Sequence, residues 1–214
     1  MAKLYYRHGT MGSSKTANAL MVDYSYRENG RTSILLKPAK DTRDGVGLIR
    51  SRSGLSAKCL CMEEEVNLYD FFRFYKVHPV AFGEDYPDLA HQAEINSIDV
   101  IIVDEAQFLT AAQVDQLAMI CDDLDIPVIA YGLRTDFTGH LFEGSKRLFE
   151  VADKIEEVKH ICWCGKKAIM NARYNENGIV RNGEQIVIGA NESYVPLCRH
   201  HYLSGETHAP AEES

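Results

Sequence analysis

Apolar residues along this chain recur at two different spacings, and the changes between them mark out a series of elements. Residues 3–8 form a short apolar and aromatic run that predicts a strand. It enters a loop of small residues, Gly9 to Thr16. Ala17, Leu20, Met21 and Tyr24 then recur at helical spacing, which predicts a helix with these four on its inner face and Asn29-Gly30 as its stop. Residues 32–36 read as a second strand. Residues 38–58 hold Lys, Arg, Asp, Ser and Gly without a period, which predicts a long mobile loop, often a functional one. Residues 66–76 predict an aromatic-rich amphipathic helix. Val100-Ile101-Ile102-Val103 is apolar at every position, as expected of a parallel strand buried on both faces. Val114, Leu117, Ala118, Cys121 and Leu124 mark another helix face. Residues 126–131 predict the next strand, with Pro127 at its entry.

Strands alternating with helices predict an α/β domain with a mostly parallel sheet over residues 1–155. Residues 156–203 differ. They hold cysteine, glycine, asparagine and short strand-like runs such as Gln185 to Ile188, and they read as a small metal-stapled module. Residues 204–214 are polar and expected to be disordered.

Composition narrows the class. The 23 basic and 31 acidic residues leave a formal charge of -8, which argues against a broad nucleic-acid surface. No apolar stretch is long enough to cross a membrane, and the start is too short and polar for a signal peptide. The expected location is the cytoplasm, where the 6 cysteines would not form a disulfide framework. Cys59, Cys61 and Cys121 are read as ordinary small residues.

Three motifs carry chemistry. Gly9-Thr10-Met11-Gly12-Ser13-Ser14-Lys15-Thr16 approaches the phosphate-loop pattern G-x4-G-K-[ST], between a predicted strand and helix. Its backbone N–H groups would face phosphate oxygens, Lys15 would meet the β- and γ-phosphates, and Thr16 would offer a hydroxyl to Mg²⁺. Ser14 stands where the pattern has glycine, a position where left-handed or crowded backbone favours that residue. Asp104 and Glu105 end the buried strand. One carboxylate there can hold a metal and the other can accept a proton from an attacking hydroxyl. Cys162, Cys164 and Cys198 with a histidine could close a tetrahedral zinc site. His201 is favoured over His200 on spacing alone.

Together these blocks resemble the type II, cellular-type thymidine kinase family, in particular its bacterial members. Further landmarks are Lys40 to Arg43, Asp104 to Phe108, Tyr131 to Phe137, Val187-Ile188-Gly189 and Tyr194 to His201, so that the resemblance spans residues 3 to about 203. It implies a P-loop NTPase (RecA-like) parallel sheet with helices on both faces, plus a small C-terminal zinc-containing lasso domain. The implied reaction moves the γ-phosphate of ATP to the 5′-hydroxyl of thymidine, giving dTMP for DNA synthesis by salvage, with deoxyuridine also accepted. Glu105 is then the catalytic base and Asp104 the magnesium-associated acid. Gly9 to Thr16, Arg43, Ala106 and Gln107 surround ATP and Mg²⁺. Met11, Phe108, Leu133, Phe137, Phe142, Asn171, Val187 and Tyr194 enclose thymidine. The resemblance further implies structural zinc on Cys162, Cys164, Cys198 and His201, inhibition by dTTP, and a homotetramer. Two other classes compete: a nucleic-acid-dependent P-loop ATPase with a zinc ribbon, and a catalytically silent nucleotide sensor. Charge and chain length stand against the first, and only Ser14 favours the second.

Overall fold

The computed structural model describes residues 1–87, 89, 97–185 and 193–208. Along the chain the elements are β1 (Leu4–Gly9), α1 (Lys15–Glu28), β2 (Ser33–Pro38), β3 (Leu48–Arg50), β4 (Ser56–Lys58), β5 (Leu60–Met62), α2 (Leu68–Val77) and α3 (Pro79–Asp85). After these come β6 (Val100–Val103), a 3₁₀ turn (Ala106–Phe108), α4 (Ala111–Leu124), β7 (Val128–Leu133), α5 (Glu143–Val151) and β8 (Lys154–Glu157). The last part holds β9 (Met170–Asn175), β10 (Gly178–Ile179), β11 (Ser193–Leu197) and α6 (Arg199–Ser204).

The main sheet runs β5-β2-β6-β7-β1-β8, with every neighbouring pair parallel. Its apolar strands divide their side chains between two faces at period 2. Ile34, Leu36, Ile101, Val103, Val128 and Ala130 join the core packed by α2, α4 and α5. Leu35, Val100, Ile102, Ile129 and Tyr131 join the opposite core, under α1. The uninterrupted apolar run of β6 thus reflects a strand covered by helices on both sides, as expected of a parallel sheet.

Three expectations are corrected. Met21 and Tyr24 are exposed, at 62% and 63%, while Ala19, Leu20 and Asp23 are buried. The inner face of α1 is set by a polar anchor: the buried Asp23 carboxylate accepts from the Ser33 hydroxyl at 2.6 Å and pairs with Arg27. Residues 38–58 are not one loop. They contain the antiparallel hairpin β3–β4, fastened to the α1 face through Ile49, which is 2% exposed. The tail is ordered further than expected, because Ser204 ends α6 and the Glu206 carbonyl accepts from the Trp163 indole at 3.2 Å. β8 straddles the expected boundary at residue 155, so the chain leaves the main sheet after Glu157. The run from Gln185 to Ile188, apart from Gln185, lies outside the described residues.

β1 and β6 end side by side with only β7 between them. Their carboxyl ends carry the Gly9–Thr16 loop and Asp104-Glu105. The crevice beyond strand ends at such a crossover is where open α/β sheets bind ligands. The 3₁₀ turn after Glu105 packs against α5 through Gly144. A Cβ on Gly144 would lie 2.6 Å from the Ala106 carbonyl oxygen and 2.7 Å from that of Leu109. Because both obstacles are backbone, Gly144→Ala is expected to lower stability by about 1–3 kcal/mol in equilibrium urea unfolding. An unchanged midpoint would show that the turn and α5 can separate freely.

Candidate active site

The loop between β1 and α1 curls around the start of α1. Gly12 has φ 76° and Ser14 has φ 63°, so both lie in the left-handed region. The sequence pattern wants glycine at position 14, and the backbone there has the conformation that glycine adopts most readily. The Lys15 ammonium donates to the Thr10 carbonyl at 2.7 Å and to the Ser13 hydroxyl at 3.3 Å. Burial draws Lys15 down to about 8, against the pull of Glu105 and Asp104, and the charges of Arg43 and Arg52 add to the fall.

Asp104 and Glu105 are 4% and 9% exposed. Burial, and then repulsion from Glu105, push the Asp104 carboxyl well above the usual range, while the Thr16 hydroxyl and Lys15 act the other way. Glu105 has φ 52°, in the left-handed region. Both oxygens are engaged. Arg43 Nη2 lies 2.5 Å from Oε1, and Gln107 Nε2 donates to Oε2. Gln107 accepts in turn from the Leu133 amide at 2.9 Å, which fixes Glu105 to the end of β7. Arg43 Nε donates to Asp41 at 2.6 Å, and Lys37 lies 3.7 Å from the other Asp41 oxygen. Burial alone would weaken the charge on Arg43; Glu105 and Asp41 overcome it and hold the guanidinium above its ordinary value.

These groups surround a cavity of about 330 Å³ lined by Met11 to Ala17, Asp41, Arg43, Asp104, Glu105 and Leu133. Of the residues expected around ATP, Gly9, Thr10, Ala106 and Gln107 are buried and do not form the cavity wall. The hairpin adds Arg50, Ser51, Arg52 and Ser53 to the lining, and Asp44 joins from the preceding loop. None of these was expected. The Ser53-Gly54 turn flanked by Leu48-Ile49 and Ser56-Ala57 was the sequence signal for that hairpin.

Of the residues expected around thymidine, Met11 and Leu133 line this cavity. Phe108 and Phe142 meet edge to face, with centroids 5.8 Å apart. Phe137 is 1% exposed and lies beneath the Arg173 guanidinium, 3.7 Å from its ring centroid. Tyr194 sits on β11, opposite Arg173. The Asn171 side chain is spoken for at both ends: it accepts from the Met11 amide and donates to the Thr135 carbonyl, each at 2.8 Å. Asn171 therefore ties the phosphate loop to β9. Val187 lies outside the described residues.

A second cluster lies in the small module. Cys162 Sγ and His201 Nδ1 are 3.4 Å apart, Cys198 Sγ and His201 Nδ1 3.5 Å, and Cys164 Sγ and Cys198 Sγ 4.0 Å. Bonds of about 2.3 Å to sulfur and about 2.0–2.1 Å to nitrogen imply tetrahedral edges of roughly 3.5–3.8 Å, so the cluster is compatible with zinc. The histidine that joins the cysteines is His201, while His200 is exposed. Trp163 stacks on the His201 ring with centroids 4.0 Å apart, and Glu206 lies 3.9 Å from Nε2.

Among known proteins, the family model described as thymidine kinase matches residues 2–202. A thymidine kinase of Zymomonas mobilis subsp. mobilis is 44% identical over 204 residues, covering 95% of this chain and 97% of that protein. Thymidine kinases of Lactococcus lactis subsp. lactis and Legionella pneumophila (strain Paris) are 41% and 45% identical over 207 residues. Each alignment covers 96% of this chain, with 100% and 91% of the relative.

Ser14 offers a direct test of the loop. Ser14→Gly removes a left-handed Cβ at an exposed position with no side-chain cap bond. It is expected to raise stability by about 0.5–1 kcal/mol in urea unfolding without weakening nucleotide binding. A loss of stability would mean that the serine side chain supports the turn.

Proposed function

The chain belongs to the thymidine kinase family, and from that premise we propose how its residues transfer the γ-phosphate of ATP to the 5′-hydroxyl of thymidine. The observation that carries the reading is the meeting of the Gly9–Thr16 loop with Asp104 and Glu105 around one cavity. ATP places its phosphates on the loop amides, beside Lys15 and at the N-terminus of α1. Asp104 and Thr16 supply hard oxygen donors at the buried end of the cavity, which suits Mg²⁺. That ion would neutralise phosphate charge.

Thymidine lies on the Met11 and Leu133 side, under the small module. Glu105 takes the 5′-hydroxyl proton as O5′ bonds to the γ-phosphorus and the bond to the bridging oxygen of ADP breaks. Arg43 moves from Glu105 Oε1 toward the phosphoryl oxygens, freeing the carboxylate and stabilising the charge that it leaves. Gln107 keeps the other carboxylate oxygen in place throughout. Cys162, Cys164, Cys198 and His201 would hold a structural zinc ion that braces the base-binding segment and takes no part in the chemistry.

Family resemblance also supports acceptance of deoxyuridine, inhibition by dTTP and a cytoplasmic homotetramer. The exposed Met21 and Tyr24 on α1 are apolar surface that an assembly of copies would cover. No helix among the described residues is long and apolar enough to cross a membrane.

Two experiments test this reading. Glu105→Gln keeps the shape but cannot take the proton, so turnover should fall about 10²–10⁴-fold while both substrates bind within a few-fold of wild type. Near-normal turnover would remove Glu105 from the role of base. Stripping the metal with a strong chelator should abolish thymidine binding in calorimetry while ATP still binds the phosphate loop. Equal loss of both ligands would mean that the metal supports the whole fold.

A further inference from the structure

The hairpin β3–β4 is built to present one side chain. Its base is closed by the Cys59 amide donating to the Gly47 carbonyl at 2.9 Å, and Ile49 is sunk in the α1 face. Its tip is a tight turn in which the Gly54 amide donates to the Ser51 carbonyl at 3.1 Å and Gly54 has φ 90°. The Ser51 hydroxyl, on a residue 7% exposed, accepts from the Leu55 amide at 3.1 Å and lies 2.9 Å from that of Ser53. Arg52 stands at the first corner of this fixed turn.

The side chain of Arg52 reaches back over the phosphate loop. A Cβ on Gly12 would lie 3.8 Å from Arg52 Nη1, and Arg52 lines the same cavity as Lys15, Arg43 and Glu105. Lys15 has the Thr10 carbonyl, and Arg43 has Asp41 and Glu105. Arg52 is exposed, and no ion pair or hydrogen bond joins it to a described residue. A guanidinium held on a preorganised turn beside two other cations gains nothing from the protein alone. Its position is favourable when a multiply charged anion occupies the space between them, and the planar guanidinium fork matches phosphate oxygens.

We infer that Arg52 is a binding residue for the polyphosphate chain of ATP, closing over the phosphate loop from the hairpin side. This inference rests on the placement of ATP phosphates at Gly9–Thr16. It makes the hairpin a second wall of the triphosphate site and separates the work of the two arginines. Arg43 comes from the Glu105 side, where the transferred group leaves, while Arg52 comes from the Gly12 side, across the mouth of the loop.

The test is calorimetric titration of MgATP, and separately of thymidine, into wild type, Arg52→Ala, Arg52→Lys and Lys15→Ala. Arg52→Ala is expected to weaken ATP binding about 10–100-fold, the loss of one charge-assisted contact. Arg52→Lys should recover part of this, and thymidine affinity and the thermal midpoint without ligand should not move. Unchanged ATP affinity in Arg52→Ala, alongside a loss in Lys15→Ala, would overturn the Arg52 inference and leave the phosphate loop in place. Unchanged affinity in Lys15→Ala would overturn the placement of ATP itself, and the Arg52 inference with it. An equal loss of thymidine affinity in Arg52→Ala would make the hairpin a support of the fold and would also overturn the inference.

Discussion

Two adjacent carboxylates buried at the end of an apolar strand set the terms for everything around them. Asp104 and Glu105 follow four side chains that are all fully buried, so water cannot solvate their charges well. The protein answers with directed partners. Lys15 and Arg43 supply positive charge, Thr16 bonds Asp104, and Gln107 bonds Glu105. Gln107 then has to be held by the Leu133 amide, and the Leu133 carbonyl accepts from Tyr6 and Ser145. The network runs from the cavity wall to Tyr6 in β1, the end of β7 and the first turn of α5. It explains why the turn after Glu105 packs so tightly on Gly144. Removing one partner strands a buried charge, which costs far more than the contact itself.

The small module is tied to this network by polar bonds over long sequence distances. Asn171 joins Met11 to Thr135, Arg134 donates to the Ile169 carbonyl at 2.9 Å, and the Tyr202 hydroxyl donates to the Phe137 carbonyl at 2.7 Å. The metal-compatible cluster brings Cys162 and Cys164, near the start of the module, together with Cys198 and His201 near its end. Asn171 deserves its burial for a mechanical reason: its amide reads the phosphate loop and the segment after β7 at once.

Much of the site was legible in the sequence because its chemistry is local. The phosphate loop, Asp104-Glu105 and the cysteine pairs are short motifs whose geometry is fixed within a few residues. β6 was legible because a run of four apolar residues has few alternatives in an α/β chain. What escaped depended on partners far away. The inner face of α1 was misread because Asp23 is buried to meet Ser33, a pairing that apolar periodicity does not register. The hairpin at 48–58 was misread as loop because its strands are only three residues long, with Ile49 and the partly buried Ala57 packed on the core. Gln107 and Asn171 were expected to touch ligands as family positions. In the structure their side chains bond to Glu105 and to backbone, contacts that no spacing rule reveals.

This cavity moves a phosphoryl group to a pyrimidine deoxynucleoside and not to water. The direct measurement is to supply ATP labelled at the γ-phosphate, with Mg²⁺ and each deoxynucleoside in turn, and to identify the labelled product. Label is expected in thymidine 5′-phosphate, with deoxyuridine behind it, and none in the purine or cytosine nucleosides. Label appearing only as inorganic phosphate, independent of thymidine, would contradict it.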